Sequence, residues 1–140
     1  MSDLARKHAP VGATFFAEYW FQALDWAYAT ADSTVAKSLF AAACTECVRT
    51  MHNFDLATSR GETFHGGRIT VSRAEIAAND KRNGAEFAVD VTVDISAWET
   101  LSSDHKVINH GAARNEASYR VWVAWYQHGW SVVDYRFVKP

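Results

Sequence analysis

The chain has 140 residues, the length of one domain, with a net charge of −2 and a pI near 6.3. A chain of that length buries roughly 68–70% of its unfolded surface, so it can be stable without metals or many disulfides. Phosphate backbones are bound by clustered Lys and Arg, and no such stripe occurs, which argues against nucleic acid as a partner.

Residues 1–11 are polar and run into Pro10, Val11 and Gly12, so they are expected to form a flexible N-terminal tail before a single domain over 12–140. From Ala13 the pattern is helical: Phe16, Tyr19, Trp20, Ala23, Leu24 and Ala27 share one face, while Glu18, Gln22 and Asp25 lie opposite. Phe15, Phe21, Trp26 and Tyr28 widen the apolar stripe, which predicts cover on more than one side. The same three polar residues interrupt the stretch from Phe15 to Ala29, the best candidate for a membrane span, so no transmembrane segment is expected. The start, Met1-Ser2-Asp3-Leu4, lacks the basic-then-apolar order of a signal peptide. The expected location is therefore cytoplasmic, or extracytoplasmic with the export signal outside this sequence.

Ala31-Asp32-Ser33-Thr34 breaks the helix and supplies N-cap candidates for a second helix over Thr34 to Ala42. A third helix begins near Cys44, carries Cys47, Val48, Met51 and Phe54 on one face, and stops before Gly61. The run Gly61 to Gly67 is expected to be a turn, since paired glycines supply positive φ cheaply. The period then changes to two. Arg68 to Ala77 is a first strand, Asn79 to Gly84 a turn, and Phe87, Val89, Val91, Val93 and Ile95 alternate with polar and acidic residues in a second strand. Residues 97–116 are polar, with a short strand at Lys106 to Asn109, and the chain closes in a hairpin of Ser118 to Gln127 and Trp130 to Val138 around His128-Gly129. Helices first and a meander after predict an α+β fold, in which N-terminal helices pack in the concave face of a curved, mostly antiparallel sheet.

This order, with its long first helix and the closing strand Gly129-Trp130-Ser131-Val132-Val133-Asp134, resembles the nuclear transport factor 2-like superfamily over about residues 13–138. The resemblance implies the cone-shaped, cystatin-like fold that ketosteroid isomerase, scytalone dehydratase and limonene epoxide hydrolase share. Tyr19-Trp20, Tyr28-Ala29-Thr30-Ala31-Asp32, Cys44-Thr45-Glu46-Cys47 and Gly66-Gly67-Arg68 are similar to a domain of unknown function in putative actinobacterial lipoproteins. That likeness implies a secreted or membrane-tethered domain.

Cys44-x-x-Cys47 is the sharpest local motif. A redox pair of thioredoxin type needs a βαβ context and a facing proline, and a zinc site needs two further ligands, to which His52 or His65 could contribute. The third reading is a local disulfide or two buried thiols; no metal and no cofactor are expected. A pocket between the first helix and the sheet is the main candidate site. Strand alternation places Tyr119, Val121, Val123 and Trp125 on one face of the hairpin, and Trp130, Val132 and Asp134 on one face of its second strand. If the Trp-bearing face points inward, Asp134 is an acid in an apolar setting, with a raised pKa suited to acid–base work. The alternative is an Asp134 near the strand end that is solvated, or paired with Arg136 or Arg120. Tyr19 stands on the helix where ketosteroid isomerase, by resemblance, carries an oxyanion-binding tyrosine, and His52 borders the apolar face of the third helix. A ligand-binding pocket would be lined by Tyr19, Trp20, Tyr119, Trp125 and Trp130; a catalytic one would bring Asp134, His52 and Tyr19 together. On the other hairpin face Trp122, Ala124, Tyr126, Val133, Tyr135 and Phe137 predict either a homodimer interface or cover by a helix or the N-terminal tail. The functional expectation is a non-catalytic domain binding a small apolar ligand or a protein partner. The alternative is a cofactor-independent isomerase, dehydratase or hydrolase.

Overall fold

Valines alternating with polar residues over 87–95 form the strand on which the rest of the fold is assembled. The computed structural model describes residues 1–77 and 80–139. In chain order the elements are α1 (Pro10–Thr30), α2 (Thr34–Lys37), α3 (Thr45–Ser59), β1 (Thr63–Gly66), β2 (Ile69–Ala77), β3 (Phe87–Ile95), β4 (Trp98–Leu101), β5 (Val107–Gly111), β6 (Arg114–Tyr126) and β7 (Gly129–Lys139). Two antiparallel sheets result, one of four strands in the order β2-β3-β6-β7 and one of three in the order β1-β4-β5. The expected α+β architecture is what forms. Register shifts interrupt the ladders at Val71/Arg73, Val93/Ile95 and Trp122/Val123, and irregularities of this kind bend a strand and add twist.

The inner face of the larger sheet carries Val89, Val91 and Val93 of β3 with Val121, Val123 and Val132, all fully buried. Against it lies α1 through Phe16, Trp20, Phe21, Leu24 and Ala27. The helix touches the C-terminal ribbon directly: Phe21 meets Tyr119 at 5.1 Å and Trp20 meets Tyr135 at 5.5 Å between ring centroids. Asp25 lies on the polar side of α1, yet it is not merely solvated. Its carboxylate accepts from Arg68 Nε and Nη2 (2.9 and 2.7 Å) and from the Ile69 backbone N–H (2.8 Å), fixing the start of β2 against the helix. That donor set holds its pKa below the usual carboxylate value. No helix among the described residues is long and apolar enough to cross a membrane.

Several expectations need correcting. Residues 1–11 do not form a free tail. A 3-10 turn at Leu4–Arg6 buries Ala5, and α1 already starts at Pro10. The Lys7 carbonyl accepts from Trp130 Nε1 (2.8 Å), and the His8 ring stacks on Trp125 at 4.4 Å and 3° while its Nε2 sits 2.8 Å from both Glu86 oxygens. Gly12 makes this possible: a Cβ there would lie 1.8 Å from the Lys7 oxygen. The second helix ends at Lys37 rather than Ala42, because Leu39 and Ala41 turn to hydrogen-bond the edge of β7 at Val132. Val48 of α3 points to solvent, while Cys47, Met51 and Phe54 are buried as expected. The stretch from Gly61 to Gly67 contains β1, and residues 97–116 contain β4 as well as β5. Asn79, at the start of the expected turn, and Pro140 lie outside the described residues.

The outer hairpin face, expected to meet a second copy or to lie under a helix or the N-terminal tail, is covered around Trp122 by neither of these chain segments but by the loop before β3. Trp122, Ala124 and Val133 are buried with Ala85 and Ala88. Arg82 lies 4.4 Å over the Trp122 ring, Asp80 accepts from Trp122 Nε1, and Asn83 Nδ2 donates to the Val133 carbonyl. The segment over 80–85 is thus the lid on this face. Tyr135 and Phe137 are not on it at all, for a reason that also relocates the expected catalytic acid.

Candidate functional site

In β7 Trp130 pairs with Trp125 and Val132 with Val123, but the next partner of Trp122 is Asp134, so Val133 is an extra residue in the strand. One extra residue exchanges the two faces of everything after it. Asp134 therefore lies beside Trp122 on the outer face, 4% exposed, and accepts from Arg82 and Arg136 at 3.3 Å each. This corrects the inward placement and satisfies the alternative in which Arg136 is its partner. Arg120 instead forks onto Asp90 and reaches Asp80. Asp134, His52 and Tyr19 do not converge. His52 is exposed on α3, and Tyr19 is half-buried on the far side of α1, lining a shallow cleft with Gln22, Trp26 and Val35.

The expected ligand-binding set is likewise dispersed. Trp20 is fully buried between Phe40 and Tyr135, with no hydrogen-bond partner for its Nε1 among the described residues. Trp125 and Trp130 meet edge to face at 5.2 Å and are covered by the N-terminal segment. Only Tyr119 of that set lines the principal opening. The pair at 44 and 47 is a disulfide within the N-terminal turn of α3, where Cys44 Sγ also accepts from the Cys47 N–H at 3.2 Å. Both residues are fully buried, and the joined sulfurs are not available to a metal.

The opening that does exist is a groove between α1 and α3 on one side and the ends of both sheets on the other. At its first end is a cleft of ≈ 330 Å³ over Phe64, Gly66, Gly67 and Trp98. A second cleft of ≈ 350 Å³ runs past Phe21, Leu24, Thr50, Tyr119, Tyr135 and Phe137. Tyr28, Ile69 and Ile95 line both, so the two are continuous. Glu46 and Phe137 join the second to a polar end at Thr45, Arg49, Asp134 and Arg136, where Arg49 is paired to Glu46 and Arg136 to Asp134.

Three tyrosines, from α1, β6 and β7, face this groove. Burial pushes the hydroxyls of Tyr28, Tyr119 and Tyr135 above the ordinary phenol pKa, most of all Tyr135, whose oxygen lies 2.5 Å from Thr50 Oγ1. Each stays protonated at neutral pH, so each can donate a hydrogen bond and none can act as a base. The first end is built differently. Trp98 has glycine as its partner on both neighbouring strands, Gly66 on β1 and Gly111 on β5. A Cβ on Gly111 would lie 2.3–2.7 Å from Trp98 Nε1, Cε2 and Cζ2, so the indole rests flat on bare backbone. Strand alternation puts Phe64 and Thr100 on the same side as Trp98, and the exposed cross-strand pair His65 and Glu99 on the other. The apolar pattern missed Trp98 because it stands alone in a polar stretch; the nearby Gly66-Gly67 was the available signal.

A profile of the family of unknown function DUF6318 matches residues 1–136. The chain belongs to that family. No curated protein matches this DUF6318 chain. Among solved structures, the intermembrane space region of the chloroplast protein ARC6 is similar to it, with a TM-score of 0.67 and 12% identity over 96% of this chain and 99% of that one. At such identity the likeness is one of fold. It leaves the DUF6318 groove to be read from its own side chains.

Proposed function

We propose that this domain is a non-catalytic binding module that works outside the cytosol and receives an extended, apolar segment of a partner in the groove between α1, α3 and the sheet ends. The observation that carries this reading is the groove's make-up. Aromatic rings from five different elements surround a continuous open channel whose tyrosine hydroxyls are neutral donors. Sites with a few placed polar groups on an apolar lining favour binding over chemistry, and an open channel suits a chain segment better than an enclosed small molecule. The buried disulfide supports an oxidising location, and the fold relative from an intermembrane space agrees with one.

The test is selection of random dodecapeptides displayed on phage against the immobilised protein. Binders should then be measured on Ile95→Trp, which fills the junction of the two clefts. Enriched peptides should bind the wild type and lose at least tenfold on the filled variant. Failure to enrich any sequence, or equal binding to both proteins, would defeat the reading.

A further inference from the structure

Resting on that reading, we infer that the Trp98 end of the groove is a subsite for a proline ring, and that the partner segment is proline-rich and enters as a polyproline II helix. Trp98 is the reason. A side chain at Gly111 would lift or tilt the indole, and one at Gly67 would crowd its Cβ and Cγ at 3.1 and 3.8 Å, yet the chain places glycine at both positions. The ring is thereby held flat as a platform, half-buried, on the same side of the small sheet as Phe64, with Tyr28 and the Ile69–Ile95 pair opposite across the cleft.

Electrostatic complementarity selects the occupant. An aromatic face is negative, and the C–H groups of a prolyl ring, next to the electron-withdrawing amide nitrogen, are its positive counterpart. A proline segment lacks backbone N–H donors and offers only carbonyl acceptors. The groove answers with donors, the neutral hydroxyls of Tyr28, Tyr119 and Tyr135. A polyproline II helix repeats every three residues with a rise of ~3.1 Å each, so like rings recur about every 9 Å, and such segments dock on aromatic-lined grooves with little ordering entropy. Here one ring site lies at Trp98 and a second at Tyr119, Tyr135 and Phe137, with the Ile69–Ile95 pair between them. A stacked pyranose is the competing occupant of any flat indole. Its hydroxyl rim needs several convergent acceptors; Glu99 and His65 also border this cleft, but strand alternation turns their side chains away from the face that carries the indole.

The experiment uses the full chain, 15N-labelled, titrated in parallel with decaproline, a ten-residue Gly-Ser peptide and cellohexaose. The readout is the set of amide and indole N–H resonances. Decaproline should shift the Trp98 indole and the neighbouring Gly67 and Gly111 amides. Gly-Ser should shift none of them. Trp98→Leu and Gly111→Ala should weaken decaproline binding at least fivefold, with thermal unfolding confirming that each variant is folded; Trp98→Tyr, retaining an aromatic face, should recover part of the affinity. The inference is overturned if decaproline leaves these resonances unmoved, if the folded Leu and Ala variants bind it as the wild type does, or if cellohexaose alone moves the indole. Selected peptides that contain no proline and still require Ile95 would overturn it while leaving the groove's binding role in place.

Discussion

Replacing Gly12 with alanine tests how firmly the N-terminal segment belongs to the fold. The new methyl would sit 1.8 Å from the Lys7 oxygen and 3.1 Å from that of Leu4. The helix cannot retreat, because Ala13, Phe16, Ala17 and Trp20 on its neighbouring turns are all essentially buried. Residues 4–9 must therefore lift. The Trp130 indole, itself 5% exposed, loses the Lys7 carbonyl; a buried donor left unpaired costs about 1–3 kcal/mol. Exposing Ala5 and unstacking His8 from Trp125 add about 1–2 kcal/mol. Against these, alanine gains about 1 kcal/mol over glycine in a helix, and the freed segment regains chain entropy. The net expectation is a loss of about 1–3 kcal/mol. For a domain of this size that lowers the thermal midpoint by roughly 3–10 °C. Circular dichroism melts give the midpoint, and limited trypsin digestion reports the lifting, since Arg6 and Lys7 become cleavable. A variant that melts with the wild type and resists trypsin equally would show that the Lys7 carbonyl does not occupy the space over Gly12.

Further outcomes follow from other contacts. Tyr135→Phe removes the hydroxyl paired with Thr50 and should cost about 1 kcal/mol in chemical denaturation, with at least threefold weaker binding of groove-selected peptides. Asp25→Asn should be less stable than the wild type at pH 7. Because the folded pKa of Asp25 lies below its unfolded value, its contribution is complete above about pH 4 and disappears as acid titrates the folded carboxylate. Urea midpoints of the two proteins should converge between pH 5 and pH 2, and a gap that widens in acid would refute this. Reducing Cys44–Cys47 closes no large loop, so it should cost only about 2 kcal/mol and leave the protein folded at 25 °C, as near-ultraviolet circular dichroism would show. Asp134→Ala leaves Arg82 and Arg136 without their shared acceptor and should loosen the segment over Trp122, seen as faster hydrogen exchange at residues 82–86.

Long periodic runs made most of the architecture legible in advance. The spacing of Phe16, Trp20, Leu24 and Ala27 announced α1, and the valines at 89, 91 and 93 announced the central strand with its buried face. The smaller sheet was hidden because β1 and β4 have four residues each, one ends in glycine, and β5 is exposed along both faces; Val107 and Ile108 are 51% and 52% accessible. Such strands bury too little to impose a period of two. The N-terminal segment was unreadable because its place depends on the missing side chain of Gly12 and on Trp130, more than a hundred residues away. For the groove, Tyr119 was reached by alternation, whereas Tyr28 was read only as excess on a helix and Tyr135 was assigned to the wrong side. Counting alternate residues through Val133 fails because an inserted residue has no signature when both its neighbours and itself are compatible with a strand.

That inserted valine has a consequence for how this domain can vary. Upstream of it β7 contributes Trp130 and Val132 to the interior; downstream the same interior takes Tyr135, the most deeply set phenol of the channel, while the carboxylate next to it is delivered to the arginines outside. A relative one residue shorter at this point would keep the carboxylate outside and the phenol inside by plain alternation from Val132, but would lose the buried Val133 side chain beside Trp122 and the carbonyl that accepts from Asn83. The extra residue therefore serves the outer layer, as the plug beneath residues 80–85, and a strand shortened here should loosen that cover while leaving the channel's hydroxyls where they are.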